Sequence, residues 1–168
     1  NVSLGERILV ELANHLVAAG SGLDEVVTTI EGSRGDVQMV ALLDTLEYLR
    51  KGGRVSGLAG ALGAMLSIKP VLACQNGEMI LLGKARGSKN GRNLLNEQIE
   101  AAGGVDFSLP LAVGYSGMSS ALLDKYIRDS RSLWEDHVDE LPTVSIGATI
   151  GTHAGPNGIA VAFFAKGK

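Results

Sequence analysis

Apolar residues recur at helical spacing from the start of the chain. Ile8, Leu9, Leu12, Ala13, Leu16 and Val17 share one face, which predicts a helix over 4–19 with Gly20 as its left-handed stop. A shorter helix is predicted near 23–31, where Ser21 and Asp24 have the spacing of a capping box. Residues 33–36 read as a turn, and 37–43 as an apolar run of strand length. Asp44 is placed to cap the next helix, with Glu47 at its third position. That helix carries Leu46 and Leu49 on one side and ends in Arg50 and Lys51, which suit the negative end of its dipole, before Gly52 and Gly53. Ser56 is placed to cap a further helix over 57–66.

Strands are predicted over 68–74 and 78–82. Asn76 and Gly77 between them both tolerate the positive φ of a type I′ hairpin turn. A helix over 90–102 stops at Gly103 and Gly104, a strand covers 109–114, and a helix runs from 119 to about 134, with Leu122, Leu123, Tyr126 and Ile127 along one face. Val144, Ile146, Ala148 and Ile150 alternate in period two, as in a half-buried strand. A Gly/Pro loop over 151–158 then leads to a last strand over 159–164. About six strands and about six helices, interleaved but with one hairpin, predict an α/β fold: a mixed, partly antiparallel sheet covered by helices.

Composition sharpens this picture. The 168 residues suit one domain, and the chain carries only 4% aromatics against 23 glycines. Its core is therefore built from Leu, Val, Ile and Ala, with backbones approaching closely through Gly. A net charge of −3 argues against nonspecific nucleic-acid binding. Cys74 stands alone, which excludes an internal disulfide and a multi-cysteine metal site, and reads as a small core residue on a strand. No apolar run is long enough to cross a bilayer, and no leader pattern opens the chain. It begins without Met, directly in a helical pattern, and reads as a fragment or as one domain of something longer.

Four constellations carry candidate chemistry. In the stretch from Asp44 to Arg54, two glycines after a basic helix end present Arg54 beside free amides, a site suited to a carboxylate or phosphate; the bland alternative is a capped, solvated turn. Gly57, Gly60 and Gly63 form a small-residue row, with Leu58, Leu62, Met65 and Leu66 on the other sides. Such a helix packs closely on a sheet or lines something apolar, and an unbranched Met suits a lipid tail. Lys84 and Arg86 point to one side of an extended chain and, with Lys89 and Arg92, form a basic patch suited to an acidic partner or to plain solvation. In the loop 151–158, Thr152 and His153 can both hydrogen-bond an anionic head group.

Gly114-Tyr115-Ser116-Gly117-Met118 follows a strand like a nucleophile elbow but has Met where the motif needs Gly. A hydrolase or phosphate-chemistry enzyme using Ser116 and His153, with Asp124 or Asp129, remains one alternative reading. A non-enzymatic interaction domain is another. His15, His137 and His153 lack ligand spacing, so no metal site is expected.

Taken in order, Asp44–Arg54, Leu66-Ser67-Ile68-Lys69-Pro70, Lys84-Ala85-Arg86 and Ile150-Gly151-Thr152-His153-Ala154-Gly155-Pro156 resemble the DegV family. Val2-Ser3-Leu4-Gly5 and Val161-Ala162-Phe163-Phe164 resemble it too, so the likeness spans the chain. It implies a bacterial, cytoplasmic fatty-acid-binding protein, a non-catalytic carrier needing no cofactor. Such a carrier presents the carboxyl group of a long-chain fatty acid to a separate ATP-dependent fatty acid kinase subunit, and the acyl phosphate feeds phospholipid synthesis. The same likeness implies that residues 1–168 are the C-terminal lipid-binding domain. The family's N-terminal domain, a partner supplying further hydroxyl ligands, is absent from this sequence. His153, Thr152 and Arg54 then resemble head-group residues, and Lys84 and Arg86 the basic pair that docks the kinase subunit. Leu58, Leu62 and Met65 are expected to line the acyl pocket. Membrane contact is expected only transiently at a surface.

Overall fold

A computed structural model of the chain describes residues 1–55, 58 and 68–166. Among these, β1 (Val37–Leu42), β2 (Ile68–Gln75), β3 (Glu78–Arg86), β4 (Ala112–Ser116), β5 (Thr143–Ile146) and β6 (Gly158–Phe164) form one sheet in the order β3-β2-β1-β6-β4-β5. Every neighbouring pair is antiparallel except β4 with β5. The mixed, partly antiparallel sheet is the one the sequence predicts.

Side chains alternate across this sheet and split the core in two. Along β6, Ile159, Val161 and Phe163 face one side, where Leu95 and Ile99 of α4 (Gly87–Ala101) and Leu123 and Tyr126 of α5 (Ala121–Asp129) meet them. Ala160, Ala162 and Phe164 face the other, against Leu4, Ile8 and Leu12 of α1 (Leu4–Ala18) and Leu49 of α3 (Glu47–Lys51). Helix α2 (Leu23–Ser33) buries no residue fully and reaches this second core through Ile30. Helix α6 (Ala148–Ala154) reaches it through Ala154. The result is a three-layer α/β/α sandwich.

Local chemistry explains most boundaries. Asn76 and Gly77 both hold positive φ (51° and 82°), the type I′ geometry of the β2–β3 hairpin. Helix α1 ends in a Schellman motif, with Ser21 N–H donating to Leu16 O and Gly20 N–H to Val17 O. The hairpin runs further than predicted. Strand β3 continues through an irregularity beside Val71 and Leu72 to Arg86, so Lys84 and Arg86 pair with Pro70 and Ile68 inside the sheet's edge strand.

Several expectations are corrected. The alternation at Val144, Ile146, Ala148 and Ile150 is not one strand: β5 ends at Ile146, Gly147 turns the chain, and Ala148 starts a helix. The stretch 151–154 is therefore helical, not loop. Ser21 does not cap α2, whose N-cap is Gly22. Asp44 does not cap α3; its carboxylate pairs with Lys69, and Thr45 Oγ1 accepts the Glu47 N–H instead (3.1 Å). The 119–134 helix stops at Asp129 and resumes as one 3₁₀ turn. The strand expected over 109–114 starts later, at Ala112, beyond Pro110 with its missing N–H. The helix expected over 57–66 lies outside the described residues, apart from Leu58.

Candidate functional site

The second face of the sheet has small residues at its centre. Ala41 on β1 and Gly158 and Ala160 on β6 stand where the first face carries Leu42, Ile159 and Val161. Close-packed interiors have few voids larger than a water molecule. Here the short side chains leave a cavity of about 480 Å³, within the range of small-molecule sites. Leu43, Leu49 and Ile150 wall it, and Met39, Cys74 and Met79 line it from β1 and the hairpin. Cys74 is thus half-buried at a cavity rather than packed in the core.

A guanidinium and an imidazole reach this largely apolar space from separate parts of the chain. Helix α3 ends in a second Schellman motif, with Gly53 N–H bonded to Arg50 O and Arg54 N–H to Leu49 O. Gly53 takes the left-handed φ of 71° that the motif requires. Arg54 follows at once and lines the cavity, its Nη1 donating to Gly52 O at 2.8 Å. Helix α6 brings His153 to the same cavity. The imidazole lies so close to Gly52 that a Cβ there would sit 2.0 Å from Nδ1. That Nδ1 is buried with no hydrogen-bond partner among the described residues. Two residues on, Gly155 (φ 75°) is as close to Tyr48, where a Cβ would meet the ring at 2.3 Å. Glycines at both helix ends thus let α3 and α6 touch, and the contact holds Arg54 and His153 at one cavity.

Thr152 is placed elsewhere. It is exposed, its hydroxyl donates to Ala148 O (2.8 Å), and it does not line the cavity. Leu58 is 1% exposed and belongs to the core on the cavity side without lining the cavity. Leu62 and Met65 lie outside the described residues. Lys84 and Arg86 are exposed on the edge strand, away from the cavity wall.

Ser116 lines the cavity but its hydroxyl is committed. It donates to Gly155 O (2.5 Å) and accepts the Gly158 N–H (3.1 Å), tying the 155–158 loop to β4. The proton points at a carbonyl, so no base activates the oxygen. Neither triad aspartate joins it. Asp124 accepts from Ser120, and Asp129 pairs with Arg92 and Lys125 beside the first core. The Arg92 guanidinium holds the Asp129 carboxyl below the usual carboxylate range.

Met39, Ala41, Met79 and Thr149 are among the cavity-lining residues to which no sequence motif pointed. One signal for the cavity was present: the alternation of Gly158, Ala160 and Ala162 with Ile159, Val161 and Phe163 marks a strand with one large and one small face.

The family model described as "Uncharacterised protein, DegV family" matches residues 1–166. A DegV domain-containing protein of Deinococcus radiodurans is 30% identical over 96% of this chain and 56% of its own. A solved structure of a fatty-acid-binding DegV family protein from Thermus thermophilus superposes with a TM-score of 0.81 at 27% identity, covering 97% of this chain and 57% of that one. The Streptococcus pneumoniae Fatty Acid Kinase (Fak) B3 protein, loaded with linoleic acid, shares the fold at a TM-score of 0.79 and 22% identity, over 95% of this chain and 55% of that one. This chain spans less than three-fifths of each of these proteins. With the family model matched over nearly its whole length, the chain belongs to the DegV family.

Proposed function

We propose that this chain binds a long-chain fatty acid, with the acyl tail in the cavity over Ala41 and Ala160 and the carboxylate at His153 and Arg54. The observation that carries this reading is an apolar cavity with one imidazole and one guanidinium at its wall. Each buried CH₂ contributes about 0.8 kcal/mol, so a long tail gains much by leaving water. A carboxylate buried without partners is costly, so it stays at the polar residues. Fatty-acid binding by the 27% identical Thermus thermophilus relative supports the ligand class.

In this reading the protein is a cytoplasmic, non-catalytic carrier without a cofactor. It offers the carboxyl group to an ATP-dependent fatty acid kinase subunit, which docks at Lys84 and Arg86 and supplies Mg²⁺, ATP and phosphoryl transfer. A second domain of the family's N-terminal type supplies further hydroxyl ligands to the head group. The kinase step and the second domain rest on the family resemblance.

The test is native mass spectrometry of the full-length protein after incubation with fatty acids, followed by solvent extraction. A stoichiometric adduct of fatty-acid mass is expected. A protein that stays empty and gains no thermal stability from fatty acid would refute the carrier reading, because any ligand that binds only the folded state raises stability by mass action.

A further inference from the structure

We propose that Thr149 is a further head-group ligand, whose hydroxyl donates a hydrogen bond to the bound carboxylate beside His153. The inference rests on the fatty-acid reading above and adds a specificity residue to the same site. Thr149 and His153 lie four residues apart on α6, so they share one face of the helix, and both line the cavity. Thr149 also lines an adjoining recess of about 220 Å³, together with Ser3 and Arg7 of the α1 end. It therefore stands, solvent-exposed, where the cavity meets this recess.

The hydroxyl is available for a ligand because of where α6 starts. A Thr within a helix turns its hydroxyl onto the carbonyl four residues back, as Thr152 does with Ala148 O and Thr28 with Asp24 O. Thr149 is the second residue of α6, and the residue four back, Ser145, belongs to β5. No helical carbonyl waits beneath it, and its hydroxyl makes no hydrogen bond among the described residues. A carboxylate has about four acceptor sites across two oxygens. One imidazole N–H and one guanidinium leave acceptor capacity for a hydroxyl at this place. Of the two threonines on this helix, the one facing the cavity is thus the one whose hydroxyl is not spent on the backbone.

The experiment compares binding of a fatty acid and its methyl ester to the full-length protein and to its Thr149→Val, Thr149→Ala and Thr149→Ser variants. Val keeps the shape and removes the donor. The expected result is about a tenfold or greater loss of fatty-acid affinity in Thr149→Val, the usual weight of a hydrogen bond to a charged group. Affinity for the ester is expected to change far less, and Thr149→Ser to restore fatty-acid binding. Thr149→Ala gives the same reading should the Val variant fail to fold. Unchanged fatty-acid affinity, or equal losses for acid and ester, would overturn the role of the hydroxyl while leaving the carrier reading intact. An unsubstituted protein that binds neither compound would overturn the carrier reading itself, and this inference with it.

Discussion

Gly52→Ala tests the contact on which the site depends. The backbone at Gly52 (φ −80°, ψ 0°) is open to any L-residue, so the substitution carries no strain of its own. Gly→Ala at a compatible position is ordinarily stabilising by about 0.4–1 kcal/mol through the unfolded chain. Here the new Cβ would meet His153 Nδ1 at 2.0 Å and Cε1 at 2.6 Å, while the next contact, the Tyr48 backbone oxygen at 3.2 Å, is tight and needs a shift of only a few tenths of an ångström. The imidazole must swing away or α3 and α6 must part, and overpacking of this kind costs about 1–3 kcal/mol. For a domain of this size that is a fall in Tm of roughly 2–12 °C. With His153→Ala already in place the main obstacle is gone and only the tight Tyr48 oxygen remains, so Gly52→Ala becomes close to neutral, at most stabilising by about 1 kcal/mol. The cycle should therefore show a coupling of about 1–4 kcal/mol, well above the scatter of independent sites. Urea and thermal unfolding of the four proteins supply the numbers, and fatty-acid titration of Gly52→Ala should show a loss of affinity like the one expected of His153→Ala. Equal destabilisation by Gly52→Ala in both backgrounds would show that the imidazole does not rest on this glycine.

Three further outcomes are expected. Ser116→Ala leaves the Gly155 carbonyl and the Gly158 N–H without their buried partner and should cost about 1–3 kcal/mol in urea unfolding; an ester turnover that disappears with it would instead revive the hydrolase reading. Lys84→Glu combined with Arg86→Glu should lower acyl phosphate formation by the kinase subunit while fatty-acid binding persists, and parallel loss of both would remove the docking role. The Asp129 carboxyl titrates below its unfolded value because it accepts a hydrogen bond from Arg92. Its contribution is therefore complete above the unfolded value and lost as pH falls through the folded one. Asp129→Asn should thus be less stable than the parent near pH 7, with the gap closing below about pH 4; a gap unchanged at pH 2 would refute the assignment.

What the sequence revealed was mostly local. Asn76-Gly77 states its turn in two residues, and Gly20 ends α1 by a motif confined to one helix end. The stretch 144–154 was misread because alternation over seven residues does not show where a short strand stops. Gly147, the residue that breaks it, was read through. That misreading affects the threonines: on a loop Thr152 neighbours His153, whereas on the helix it is Thr149 that shares the cavity with His153. Arg54 and His153 were visible as motif residues, but their meeting depends on α3 touching α6 through Gly52 and Gly155, a long-range contact that no local pattern encodes. Met39, Cys74 and Met79 required the strand pairings before their common face could be known.

The asymmetry of β6 ties fold to function. Its Ile159, Val161 and Phe163 complete one core with protein side chains alone. Its Gly158 and Ala160 leave the opposite layer unfilled near the strand's start, beside the helix that carries His153. Enlarging Ala160 would be the simplest way to close that space, and under the proposed carrier reading it should abolish binding. On that reading an acyl chain lying there would take the place of core side chains, with contacts that the empty protein lacks. Ligand and fold would then be linked by mass action: the same small residues that open the cavity would make the stability of this layer depend on what fills it.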